Sequence, residues 1–237
     1  MELARERLRD AIELSQESGD ELVRAAALTT LSAATPYETQ RDEVHALLRQ
    51  SVAICRRIGW MWGLAFSQMQ LGTVLVRDGE FAEAVKMHRE SLEIVRDLGD
   101  DSMTVLLLDH LGADYLHMRD QESAREVLME SASLCRRADS PEGLAYCLEA
   151  SAGVAYRDGN LELAARLLGA GLGIRDLITV PVWPLLEPVR DQLSASVIAK
   201  LGDAAFETEH STGRRMKPDD ALSLALEATT ASSASRH

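Results

Sequence analysis

Six histidines and three cysteines are the side chains of this sequence best suited to chemistry, and their spacing argues against a metal centre. His45, His88, His110, His117, His210 and His237 include no H-x-x-x-H pair and have no neighbouring cysteine pair, so no metal site is expected. His110 and His117 stand seven apart, on one face of any helix that carries both, and read as exposed or hydrogen-bonded helix histidines. No serine lies in a G-x-S-x-G turn beside a base. The acidic pairs Asp100-Asp101 and Asp219-Asp220 fall beside helix starts, where carboxylates offset exposed backbone N–H groups. The run Gly169-Ala170-Gly171-Leu172-Gly173 has no strand before it and no lysine after it, so it reads as close helix packing. There is no G-x-x-x-x-G-K-[ST] phosphate loop, and nucleotide hydrolysis is not expected of this chain. An enzyme would need clustered ionisable side chains, and the spacing shows none. The expectation is a non-catalytic protein with no cofactor.

Charge narrows the partners. The net charge is −13 and the only late basic pair is Arg214-Arg215, whereas a duplex binder needs a basic face. Direct nucleic-acid binding is therefore not expected. Arg56, Arg96 and Arg136 recur at one interval, with Arg57 and Arg137 beside two of them. They read either as a ladder for an acidic or phosphorylated partner or, preferred, as last-turn cations favouring each helix's carbonyl end. No run of eighteen apolar residues and no basic start followed by an apolar stretch occurs, so neither a membrane span nor a signal peptide is expected. Cys55, Cys135 and Cys147 lack framework spacing and read as buried thiols in a reducing cytoplasm.

These residues hang on a repeated frame. Gly19, Gly59 and Gly99 stand 40 residues apart, with Asp139 next in register. Leu31, Leu71 and Leu111 keep the same interval, as do Leu14, Ile54, Ile94 and Leu134. A fixed period of this size signals a solenoid, in which each unit buries its apolar face only against its neighbours. Residues 61–76 have helical apolar spacing, and Arg77-Asp78-Gly79 breaks the run. Phe81, Ala84, Val85, His88, Ser91, Leu92, Val95 and Leu98 then mark one face of a second helix. Gly99 suits the left-handed position past that helix end.

Leu71-Gly72, Leu75, Ala84, His88 and Ser91 follow the pattern of the tetratricopeptide repeat, and Leu111-Gly112, Tyr115, Ala124, Leu128 and Ser131 follow it more closely. Ala152-Gly153, Tyr156 and Ala165 continue it one residue out of phase. An earlier copy, Leu31-Ser32, Val44, Leu48 and Ser51, lacks the glycine, and Pro36 predicts an early end to its first helix. The resemblance implies an all-α, right-handed superhelix of about four antiparallel helix hairpins over residues 1–172, closed by a C-terminal helical cap. It also implies a concave groove lined by the first helices, which by register presents Phe66, Met69, Gln70, Thr73, Asp109, His110, Ala113, Leu116, Ala150 and Arg157. Met and Phe beside isolated polar groups suit an apolar peptide helix or a small ligand, though part of the set reads equally as core between repeats. The Lys- and Asn-lined clamp for peptide carboxylates known from some tetratricopeptide co-chaperones is missing.

Residues 4–18 match only the second helix of a unit, leaving Leu3, Leu8 and Ile12 as an apolar stripe. The stripe reads as a face for self-association or another partner, as the mark of a chain cut from a longer protein, or as a helix packed on the next repeat alone. After Asn160, Arg166-Leu167-Leu168-Gly169-Ala170, Arg175, Arg190, Leu201-Gly202, Phe206, Gly213, Met216, Ala221 and Ala225-Leu226 resemble the tail of the helical region in large ATP-dependent LuxR-type bacterial transcriptional regulators. Pro181, Pro184 and Pro188 predict an extended loop and a helix start near Leu185. Gly202 and Gly213 are expected to punctuate two further helices, and Pro218 to open the last. The cap is expected over 173–228, with Trp183 as a contact to the groove, and a disordered tail over 229–237. The resemblances imply a cytoplasmic, bacterial interaction module that binds a peptide or protein segment, or alternatively a small-molecule sensor domain controlling a transcriptional regulator.

Overall fold

A computed structural model describes residues 2–138, 140–179 and 186–230; the expectations for Asp139 and Trp183 fall outside them. Among the described residues there are twelve α-helices and no strand. They form two compact units, Met1–Gly99 and Asp100–His237. The first holds α1 (Glu2–Ser18), α2 (Glu21–Ala34), α3 (Tyr37–Ile58), α4 (Met61–Arg77) and α5 (Phe81–Asp97), each packed on the next. The second holds α6 (Asp101–His117), α7 (Gln121–Ala138), α8 (Pro141–Asp158), α9 (Leu161–Ile178), α10 (Glu187–Leu201), α11 (Asp203–Arg214) and α12 (Pro218–Thr230). In it α6 packs on α7 and α8, α8 on α9, α11 on α9, and α12 on α7 and α8. This is the expected all-α architecture of tetratricopeptide-like helix hairpins packed in series.

The repeat glycines serve two purposes. Gly59 ends α3 at φ +72, and an added Cβ there would touch nothing within 4 Å, so the backbone alone selects glycine. Gly59→Ala is therefore expected to cost about 1 kcal/mol, read as a lower urea midpoint at unchanged slope. Gly72 and Gly112 are helical instead. A Cβ at Gly72 would lie 2.4 Å from His88 Nε2, and one at Gly112 would lie 2.5 Å from the Leu128 side chain. Each is the hole for a knob from the second helix of its own hairpin.

The expected apolar face of α5 is buried at Ala84, His88, Ser91, Leu92 and Val95, but Leu98 is 51% exposed, because it caps the helix end rather than extending its face. Pro36 does end α2 early: it has 14 residues, whereas α4 and α6 have 17. On α1, Leu3 and Leu14 are exposed and Leu8 and Ile12 half-buried. The expected start of α10 near Leu185 falls at Glu187. Pro218 opens α12 as expected, and that helix runs to Thr230, two residues past the anticipated boundary; residues 231–237 lie outside the described set. Gly202 separates α10 from α11, whereas Gly213 corrects the expectation: it sits inside the last turn of α11, buried against α9.

Polar side chains fix the hairpins at regular places. In the first unit the buried carboxylate of Asp78, just past α4, accepts from Tyr37 Oη, from Arg41 Nε (2.5 Å) and from His45 Nε2 (2.6 Å). In the second, Asp158 at the end of α8 accepts from Gln121 and from Arg125, whose other nitrogen donates to the Ala228 carbonyl at 2.9 Å. Arg57 and Arg137 are held by Glu21 (2.7 Å) and Asp101 (2.9 Å), acids at the start of the same hairpin's first helix. Arg57 and Arg137, the neighbours of Arg56 and Arg136 in the arginine series, are thus engaged within their own hairpins. All three cysteines are free, buried thiols.

A candidate ligand cavity in the second unit

Helices α6 and α8 carry their repeat positions in the same register. Thr29, Met69, Asp109 and Glu149 stand one period apart. Thr29 Oγ1 bonds to Ser51 Oγ at 2.8 Å, and the equivalent contact in the second unit is Ser131 Oγ donating to Asp109 Oδ1 at 2.5 Å, both across 22 residues. Between them Ser91 donates instead to the Met87 carbonyl, since the Met69 thioether is a poor acceptor. This packing position is filled by a hydroxyl at Thr29, a thioether at Met69 and a carboxyl at Asp109 and Glu149.

Asp109 is among the residues that line a cavity of about 290 Å³ within the second unit, built by α6, α8, α9 and α10. Ala113 and Leu116 from α6, Ala150 from α8, Leu168 from α9, and Val189 and Leu193 from α10 give it an apolar wall. Its most buried polar residue is Asp109, 4% exposed, while His117, Arg157 and Gln192 are exposed at the rim. Asp109 Oδ2 is buried with no hydrogen-bond partner. Burial pushes the Asp109 carboxyl well above the usual carboxylate range, Cys147 and Glu149 add to the push, and the Ser131 hydroxyl opposes it. Beside it, Arg175 donates through two nitrogens to Glu149, each at 2.9 Å. The Arg175 guanidinium also lies 4.2 Å over the Tyr146 ring. Burial alone would lower the Arg175 pKa, but the paired carboxylate outweighs it and holds the group charged. At the rim, Arg157 donates to the Leu116 carbonyl at 3.2 Å.

Of the residues anticipated for a groove, Asp109, His110, Ala113, Leu116, Ala150 and Arg157 all line this cavity. Phe66, Met69, Gln70 and Thr73 lie on α4 of the first unit, outside its lining. There Phe66 stacks on Trp62 with centroids 5.3 Å apart. Met69, Gln70 and Thr73 are buried, and the Met69 carbonyl accepts from Thr73 Oγ1 and His88 Nε2, both at 3.0 Å. Spacing gave no cluster of ionisable groups; the fold makes one, joining His110, Tyr146, Glu149, Tyr156 and Arg190 to Asp109 and Arg157. Tyr146, Glu149, Gly153 and Tyr156 were legible in principle, as helical neighbours of Ala150 and Arg157 on one face of α8. Among the described residues no three His, Cys, Asp or Glu side chains converge to hold a metal ion, and no described helix is long and apolar enough to cross a membrane.

Hairpins packed in series around such a cavity define an all-α repeat protein of the kind that presents binding surfaces. Residues 63–137 match the tetratricopeptide repeat family. No curated protein matches the chain.

Proposed function

We propose that this chain is a non-catalytic interaction module in which the cavity of the second unit receives an anchoring side chain from a peptide or protein segment. The observation that carries this reading is the cavity itself: an apolar wall with a few convergent polar groups, the usual make-up of a recognition site. Tetratricopeptide repeats are in general protein-interaction modules, which supports the same reading. The resemblance of the segment after Asn160 to LuxR-type regulators supports a place in a cytoplasmic bacterial regulator, acting on transcription through partners. A second reading, a small-molecule sensor, is favoured by the volume of about 290 Å³, near the lower end of ligand pockets.

Panning a random dodecapeptide phage library on the chain is expected to yield peptides that bind it and bind Ala150→Trp at least tenfold more weakly. Peptides that bind both proteins equally would sink the cavity as the recognition site. Native mass spectrometry that shows a bound small molecule lost on denaturation, with no peptide enriched, would move the assignment to the sensor reading.

A further inference from the structure

One end of the cavity carries positive charge that no acid answers. Two periods back from Arg157 stands Arg77, which donates to Glu38 at 2.8 Å. Two periods on from Glu38 stands Met118, so Arg157 keeps the guanidinium of that pair without its carboxylate. Arg157 is exposed, and its hydrogen bond goes to the Leu116 carbonyl. Lys200 of α10 joins it: its Nζ lies 4.2 Å over the ring of Tyr156, which lines the cavity beside Arg157. The Lys200 ammonium holds the Tyr156 phenol below its usual range, with Ser196 and Arg157 adding to this and burial opposing it, so the four groups share one end. Among the described residues neither Arg157 nor Lys200 has an ion-pair partner. The neighbouring acid Asp158 is taken by Gln121 and Arg125, and Asp114 is buried.

The two acids of the lining offer an anion little repulsion. Glu149 is neutralised by Arg175 through two hydrogen bonds, and burial holds Asp109 toward its protonated form. Between the two ends, Ala113, Leu116, Ala150, Leu168 and Leu193 make an aliphatic wall. It follows the seven residues of α6 from Asp109 to Leu116, roughly 10 Å of helix.

We propose that the cavity takes an aliphatic monocarboxylate, with its alkyl arm against this wall and its carboxylate at Arg157 and Lys200. The shared chemistry is a carboxylate beside a short alkyl arm. Its source is either a free small acid or the chain end of a bound segment whose last side chain is the anchor. The inference rests on the cavity's being a binding site, as proposed above.

The test is a ligand-observed NMR titration of the full chain with sodium hexanoate, 1-hexanol, n-hexylammonium chloride and sodium acetate. Hexanoate is expected to bind about tenfold more tightly than each of the others, the worth of one charge-assisted hydrogen bond or of the buried arm. Arg157→Gln combined with Lys200→Gln should erase the preference over hexanol with the thermal midpoint retained, because both side chains are exposed. Met118→Glu supplies the acid that Glu38 provides in the first unit, and should weaken hexanoate while leaving hexanol unchanged. N-acetyl-leucine bound as tightly as hexanoate would assign the carboxylate to a chain end. Its exclusion, with hexanoate still bound, would assign it to a free acid. Equal binding of hexanoate and hexanol, hexanoate no tighter than acetate, tighter binding of hexylammonium, or a hexanoate preference that survives in the folded double glutamine variant would each overturn the proposal. If Ala150→Trp abolishes peptide binding while hexanoate shows no preference, the interaction reading stands and the carboxylate assignment falls.

Discussion

Replacing Gly213 with alanine is expected to unfold or severely loosen the second unit, lowering the thermal midpoint by roughly 6–12 °C for a loss of about 3 kcal/mol. A Cβ at Gly213 would lie 1.9 Å from the Arg166 carbonyl oxygen and 2.9 Å from the Ala170 nitrogen, all backbone atoms of α9. From the other side, Gly169 and Gly173 would put Cβ atoms 2.0 Å and 2.4 Å from the carbonyl oxygens of His210 and Arg214 on α11. Two helices thus cross backbone to backbone, with glycines one turn apart on α9 meeting a glycine on α11. No side chain can rotate away to relieve an added methyl, so the helices would have to separate along the whole crossing. Gly171→Ala is the matched control. Its Cβ would meet the Glu149 side chain at 3.1 Å and the Ala145 carbonyl at 3.2 Å, and alanine's helix preference of about 1 kcal/mol opposes that crowding. A calorimetric scan in which Gly213→Ala and Gly171→Ala melt together within 2 °C or so would refute the backbone-contact account.

Asp78→Asn is expected to cost about 3 kcal/mol and to remove much of the first unit's sensitivity to acid. The Asp78 side chain is 4% exposed and receives three donors, from Tyr37, Arg41 and His45. Burial alone would raise its carboxyl pKa, but the bonds from Arg41, Tyr37 and His45 outweigh that and hold it below the usual carboxylate range. A carboxyl depressed in the folded state contributes its full stability above the unfolded-state carboxylate pKa and loses it as the pH falls through the lower folded value. The native chain should therefore lose stability as the pH drops below that range, and the Asp78→Asn variant should lose less over the same interval. Urea midpoints measured from neutral to acidic pH check both parts, and parallel curves for the two proteins would rule out the carboxylate as the source.

The reach of the sequence follows from which interactions the repeat copies. Packing is copied, so period, turn glycines and the holes at Gly72 and Gly112 were all readable from spacing. Glycine packing at 169–173 was readable too, from the absence of a strand before it and a lysine after it. Asp109, His110, Ala113, Leu116 and Arg157 were found as groove candidates because register places one helix face, even without knowing what covers it. What stayed hidden was the cover. Helix α10 supplies Val189, Arg190 and Leu193 after a proline-rich segment that breaks the register, so no count from the repeats reaches them. The ion pair of Glu149 with Arg175 was hidden for a related reason: it joins adjacent helices through a residue of α9, where the repeat pattern has already drifted. Gly213 was misread as punctuation because a glycine near a helix end looks the same whether it turns the chain or admits a neighbour.

The clasps at Asp78 and Asp158 carry a consequence for how such a chain can be lengthened or shortened. Asp78 and Asp158, Arg41 and Gln121, and His45 and Arg125 correspond at 80 residues, twice the packing period. One period on from Arg41, His45 and Asp78 stand Phe81, Val85 and Met118, which offer neither the carboxylate nor its donors. The aspartate and its donors thus recur at every second period of the sequence, at Asp78 and at Asp158. Insertion or deletion of one hairpin would break this two-period correspondence of the aspartate with its donors. Insertion or deletion of two would keep the alternation in step, so the natural building block for engineering longer or shorter versions is a pair of hairpins.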